Sequence, residues 1–199
     1  MTTEKVFSLL YTVIYPFFSI AHPIKAVGRE NIPEGPVVIC PNHSVANDPF
    51  YVVFAFGKKH PMWAMAKQEV MKLPVVGWIL GKAGVFGVDR GNADLKAAKT
   101  ALRCLKEGRK LLLFPEGTRV QEGESVEAKA GAALFATRAG CPLLPVYIPT
   151  KRKLFRPTTV VIGEPYYPQI AGRKATTEEL QTIATDLMER VRALGEGQQ

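Results

Sequence analysis

Apolar runs of two lengths alternate along the chain. The short ones, Pro36 to Cys40, Gly84 to Val88, Lys110 to Phe114 and Leu143 to Ile148, read as buried strands. The longer ones carry apolar residues at helical spacing. Ala93 to Glu107 sets Leu95, Ala98, Leu102 and Leu105 on one side, and Gly108 can end it; Ala128 to Ala139 is similar, with Gly140 as its stop. Thr177 can cap a C-terminal helix with Glu178 and Glu179 in its first turn and Leu180, Ile183, Leu187, Val191 and Leu194 as a core-facing stripe. Strand, helix, strand, helix predicts an α/β fold: a mostly parallel or mixed central sheet flanked by helices on both faces.

The N-terminus follows a different pattern. From Val6 to Ile24 there is no Asp, Glu, Lys or Arg, and the bulk is aromatic and aliphatic. A spanning helix needs about 20 predominantly apolar residues, and Pro16 and Pro23 interrupt this stretch. It reads as a helix lying in the membrane interface, as a spanning helix, or as a signal with Ser19-Ile20-Ala21 at its cleavage site. The aromatic content favours the interface, and Glu4 beside Lys5 is a poor leader for a signal. The expected division is a membrane-associating segment over residues 1–25 and one catalytic domain over 26–199.

Composition narrows this picture only a little. The 199 residues hold no linker, repeat or low-complexity tract. A net charge of +8 leaves nucleic acid, anionic lipid and phosphorylated metabolites open as partners. The basic run Lys151-Arg152-Lys153 with Arg156, followed by Pro157, reads as a solvated loop; beside a membrane each cation would contribute about 1 kcal/mol. Cys40, Cys104 and Cys141 are odd in number and lack C-x-x-C spacing, so they read as core thiols in a reducing compartment. His22, His43 and His60 lie far apart, and no metal site is predicted.

The candidate chemistry sits at strand exits. In Asn42-His43-Ser44-Val45-Ala46-Asn47-Asp48 the histidine leaves a strand, and Asp48 starts a helix with Pro49 at its first position and the apolar run Phe50 to Phe56 behind it. A carboxylate that accepts from one imidazole nitrogen fixes the tautomer and leaves the other nitrogen to take a proton. The second exit, Pro115-Glu116-Gly117-Thr118-Arg119, pairs a conformationally free glycine with a guanidinium suited to phosphate. The third is Val85 to Arg90. Three charged exits on one edge of a sheet would form a single site.

In this order, and with Leu144-Pro145-Val146-Tyr147-Ile148 as a fourth segment, these residues resemble the motifs of the glycerolipid acyltransferases, most closely the bacterial 1-acylglycerol-3-phosphate acyltransferases. The resemblance begins at Val27 and reaches about Pro165. It implies a glycerol-3-phosphate acyltransferase-like fold and transfer of an acyl group from a thioester to lysophosphatidic acid, giving phosphatidic acid. His43 would be the general base and Asp48 its orienting partner. Arg90 and Arg119 would hold the phosphate, with Lys67 of Ala66-Lys67-Gln68-Glu69 a further candidate that reads equally as an exposed lysine at a helix start. Glu116, Gly117 and Thr118 would shape the acceptor loop, with Arg119 free to pair with Glu116 instead of ligand. Asn42 would fix the turn that presents His43, and Pro145 would support the fourth motif.

The implied partners are lysophosphatidic acid, acyl-coenzyme A or acyl carrier protein, and an anionic membrane at its cytoplasmic face, with no nucleic acid and no cofactor. Two rival readings remain: an acyltransferase of the same superfamily with another acceptor, and a non-enzymatic module that binds anionic membrane. The segment Leu73 to Leu80 would line an acyl channel, touch the bilayer or pack into the core.

Overall fold

The strands are β1 (Ile24–Val27), β2 (Val37–Pro41), β3 (Met62–Lys67), β4 (Val85–Val88), β5 (Lys110–Leu112), β6 (Leu143–Tyr147) and β7 (Thr158–Ile162). The helices are α1 (Thr3–Ala21), α2 (Asp48–Phe56), α3 (Gln68–Met71), α4 (Pro74–Lys82), α5 (Leu95–Lys106), α6 (Gly131–Ala139) and α7 (Thr177–Glu196). The computed structural model of the chain describes residues 1–89, 94–120 and 126–196.

All seven strands form one sheet in the order β1-β7-β6-β2-β5-β3-β4. From β6 to β4 every neighbour is parallel; β7 runs antiparallel to β6, and β1 joins β7 in parallel. The sheet is therefore mixed, with a five-stranded parallel body, as the order of elements predicts. Strands β2, β5 and most of β6 are buried on both faces, which is why they read as unbroken apolar runs rather than alternating ones.

Alternate residues of β2 serve two cores. Val37 and Ile39 pack with Tyr51, Val52 and Phe56 of α2 and with Phe7 of α1. Val38 and Cys40 face the other layer, where Ala101 and Leu105 of α5, Ala132 and Ala136 of α6, and Ile183 and Leu187 of α7 close the sheet. The three cysteines are all buried; burial pushes the Cys104 thiol up to about 12 and that of Cys141 up to about 11, so none is a ready thiolate.

Several elements differ from the sequence reading. Leu95 is exposed: it is the first residue of α5, directly after Asp94, which caps the helix by accepting from the Ala97 N–H (2.9 Å). Of the predicted stripe Leu105 is buried and Ala98 and Leu102 pack against the core, joined there by Ala97, Ala101 and Cys104. Thr176, not Thr177, caps α7: its hydroxyl accepts from the Glu179 N–H (3.1 Å), and Glu179 accepts from the Thr176 N–H (2.7 Å). Leu73 to Leu80 does not pack as a core segment. Leu73, Val75, Val76 and Trp78 are exposed, and Gly77 alone is buried, with the Met71 carbonyl where a Cβ would stand.

Helix α1 divides its apolar residues between two sides. Phe7, Tyr11 and Phe18 join the core over α2, while Leu9, Val13, Phe17 and Ile20, spaced at helical intervals, are exposed. Among the described residues no helix is long and apolar enough to cross a membrane, which overturns the spanning alternative for this segment.

Candidate active site

The five parallel strands all point their C-terminal ends to one edge, and most of the described residues singled out by sequence lie there. At the exit of β2, Asn42 clasps the end of β6: its amide donates to the Ile148 carbonyl and its oxygen accepts from the Ile148 N–H, both at 2.8 Å. Pro145 lies further back, inside β6 and opposite Cys40, so it shapes the sheet rather than the edge.

His43 comes next, buried among four partners. Its Nδ1 lies 2.9 Å from Asp48 Oδ2, and its ring rests on Phe114 with centroids 4.1 Å apart. Its main chain is clamped by the loop after β5: the His43 N–H donates to Glu116 Oε2 and the Val120 N–H donates to the His43 carbonyl, each at 2.8 Å. The local sequence explains the loop. Gly117 takes φ of 66° and closes a turn through its N–H to the Phe114 carbonyl, with the Lys129 side chain packed where a Cβ would project.

Asp48 is fully buried at the first turn of α2, yet its carboxylate does not cap that helix. It turns back into the preceding loop, where Oδ2 accepts from the Ser44 N–H (2.6 Å) and the Val45 N–H (2.8 Å) as well as from His43. Burial alone would raise its pKa. The hydrogen bonds from His43, Val45 and Ser44, together with the charge of Arg152, outweigh burial and hold the carboxyl below its ordinary value. An ionised carboxylate only accepts, so Nδ1 of His43 donates to it; in the neutral ring this tautomer leaves the Nε2 lone pair free, the form a general base needs.

Arg152 is the participant that the sequence reading placed in solvent. Its Nη2 stands 2.6 Å from Asp48 Oδ1 and donates to the Ser44 hydroxyl at 3.3 Å, while its guanidinium lies over the Tyr51 ring, 4.5 Å from the centroid. The side chain is 8% exposed. Nη1 is buried with no hydrogen-bond partner among the described residues. The run Lys151-Arg152-Lys153 follows β6 after three residues, so the rule that flagged the other strand exits would have found it.

The remaining predicted residues are more open. Thr118 and Arg119 are exposed, and no ion pair joins Arg119 to Glu116. Glu116 is buried; desolvation lifts its pKa to about 7, aided by the nearby Asp48 charge and opposed by the His43 N–H and by Arg192. Lys67 ends β3 at the same edge, exposed, 3.3 Å from Glu69. Arg90 lies outside the described residues.

A buried imidazole-carboxylate pair beside exposed cations at a sheet edge suits proton removal from a hydroxyl on an anionic molecule. Comparison with known proteins agrees. The Acyltransferase family model matches residues 23–149, which include every segment built into this site except Arg152. A 1-acyl-sn-glycerol-3-phosphate acyltransferase of Pseudomonas aeruginosa is 33% identical over 162 residues, 76% of this chain and 62% of that protein. A Bacillus subtilis protein of the same name is 30% identical over 184 residues, 88% of this chain and 90% of that one. The crystal structure of the 1-acyl-sn-glycerophosphate acyltransferase PlsC from Thermotoga maritima superimposes with a TM-score of 0.69 at 25% identity, covering 98% of this chain and 79% of that one. The match spans less than two thirds of the Pseudomonas protein, and 53% of a like-named relative from Borreliella burgdorferi. On its motifs, its fold and these matches, the chain belongs to the acyltransferase family.

Proposed function

We propose that the protein transfers an acyl group from a thioester, acyl-coenzyme A or acyl carrier protein, to the free sn-2 hydroxyl of 1-acylglycerol 3-phosphate, yielding phosphatidic acid. The observation that carries this reading is the buried His43–Asp48 pair at the edge where five parallel strands end. His43 Nε2 takes the hydroxyl proton as the oxygen attacks the thioester carbonyl. The tetrahedral intermediate expels the thiolate, and the imidazolium returns the proton to it. Asp48 stabilises the imidazolium, and no enzyme-bound acyl group and no cofactor are required. Arg119 and Lys67 supply exposed cations for the phosphate, and the family resemblance adds Arg90 as a further ligand. The exposed stripe of α1, Leu9, Val13, Phe17 and Ile20, lays the protein on the membrane surface from which such an acceptor comes.

The test is thiol release from each donor in the presence of lysophosphatidic acid. The native chain should release thiol only with acceptor, and a folded His43→Ala variant should turn over about 10²-fold to 10⁴-fold more slowly. Release without acceptor would make the protein a thioesterase. Transfer to glycerol 3-phosphate or a lysophospholipid in preference would reassign the acceptor.

A further inference from the structure

The turn that leaves β6 sends one side chain inward and two outward. Arg152 is held at Asp48, whereas Leu154 and Phe155 are 59% and 67% exposed. Phe155 has φ of 61°, the single non-glycine residue in the left-handed region among those described, a conformation L side chains rarely adopt. Its N–H donates to the Ala21 carbonyl at 2.8 Å, which ties the tip to the last residue of α1, next to exposed Ile20. Lys153 and Arg156, both exposed, flank the two apolar side chains.

Scattered surface hydrophobes need no explanation. Two adjacent ones, held out by an unfavourable backbone conformation, bracketed by cations and tied to a helix with an apolar outer stripe, do. We infer that Leu154 and Phe155 form a membrane-docking tip that enters the surface of an anionic bilayer, with Lys153 and Arg156 against its headgroups. The inference rests on the reading of α1 as a membrane-lying helix and extends that surface to the active-site edge. Apolar side chains settle at the headgroup boundary, and cations beside them gain from anionic lipid. Leu154 follows Arg152 by two residues, a span of about 7 Å at full extension, so the docked surface and the carboxylate partner of His43 belong to one short turn.

Vesicle co-sedimentation tests it, with phosphatidylcholine vesicles with and without phosphatidylglycerol. Leu154→Ser and Phe155→Gly, made singly and together, should keep the native thermal midpoint, since both side chains are exposed and glycine accepts the left-handed backbone. The double variant should bind anionic vesicles at least about tenfold more weakly, the scale of losing two interfacial apolar groups. Lys153→Gln and Arg156→Gln should each cost about fivefold on anionic vesicles and nothing on neutral ones. If the native chain binds vesicles and the tip variants bind equally well, the docking tip is wrong while the α1 reading stands. If the native chain binds neither vesicle, both fail together.

Discussion

Arg152 and Asp48 meet 2.6 Å apart in a site where the carboxylate is fully buried and the guanidinium nearly so. The two oxygens of Asp48 thus have separate tasks: Oδ2 gathers His43 and two backbone N–H groups, and Oδ1 faces Arg152. Removing one partner of a buried pair leaves a charge uncompensated, at about 3–5 kcal/mol. Arg152→Ala should therefore destabilise the fold by that order and slow turnover, with Arg152→Lys recovering part of both because it restores charge without the planar fork. The sign with pH is fixed. Asp48 has a folded-state pKa below its unfolded value of 3.8, so its contribution is present above that value and lost as pH falls through the folded one. Without Arg152 the depression shrinks, and acid unfolding should begin at higher pH. Urea titrations across the acid range read this directly; an unmoved acid limb would contradict it.

Glu116 behaves in the opposite sense. Its carboxyl titrates at about 7 in the folded protein against 4.5 in the unfolded chain, so the folded state holds the proton more tightly. That stabilisation is complete below about pH 4.5 and disappears as pH rises through about 7. Glu116→Gln keeps an oxygen for the His43 N–H and removes the titration. The variant should show a flatter dependence of thermal midpoint on pH between those values, and should gain on the native protein at alkaline pH.

Asn42 joins two strand exits with a pair of hydrogen bonds to Ile148. At about 0.5–1.5 kcal/mol each, Asn42→Ala should cost about 1–3 kcal/mol in chemical denaturation. Because the same residue precedes His43, turnover should fall along with stability. A variant as stable as the native chain would mean that water replaces both bonds.

Arg119 is exposed at the rim, and its proposed task is the acceptor's phosphate. Arg119→Ala should raise KM for phosphate-bearing acceptors far more than for acceptors without phosphate, with kcat less affected. Equal losses on both kinds would assign the residue to the loop instead.

What the chain discloses before folding follows the length scale of each contact. His43 and Asp48 are legible because both lie within one strand-to-helix turn, and the strands β2, β4, β5 and β6 because they are short apolar runs. Arg152 escapes because its partner stands at another strand exit far away in sequence, and because a Lys-Arg-Lys run resembles solvated surface. The clamp on His43 escapes for another reason: its partners include main-chain groups, which leave no mark on residue identity. The pairing of β1 with β7 depends on the chain returning to one edge of the sheet. Leu95 shows the limit of periodicity: Ala98, Leu102 and Leu105 of the same stripe reach the core, while the first residue of the helix, beside the Asp94 cap, stays exposed.

The loop from Pro115 to Val120 grips the backbone of His43 at both its amide and its carbonyl. The base and the loop that ends in Arg119 are thereby parts of one fixture. On the proposed function, with the acceptor's phosphate at Arg119, the distance between that phosphate and the proton to be removed is set like the gap of a gauge. A molecule with its hydroxyl one bond too near or too far would be held as firmly and would still miss the imidazole.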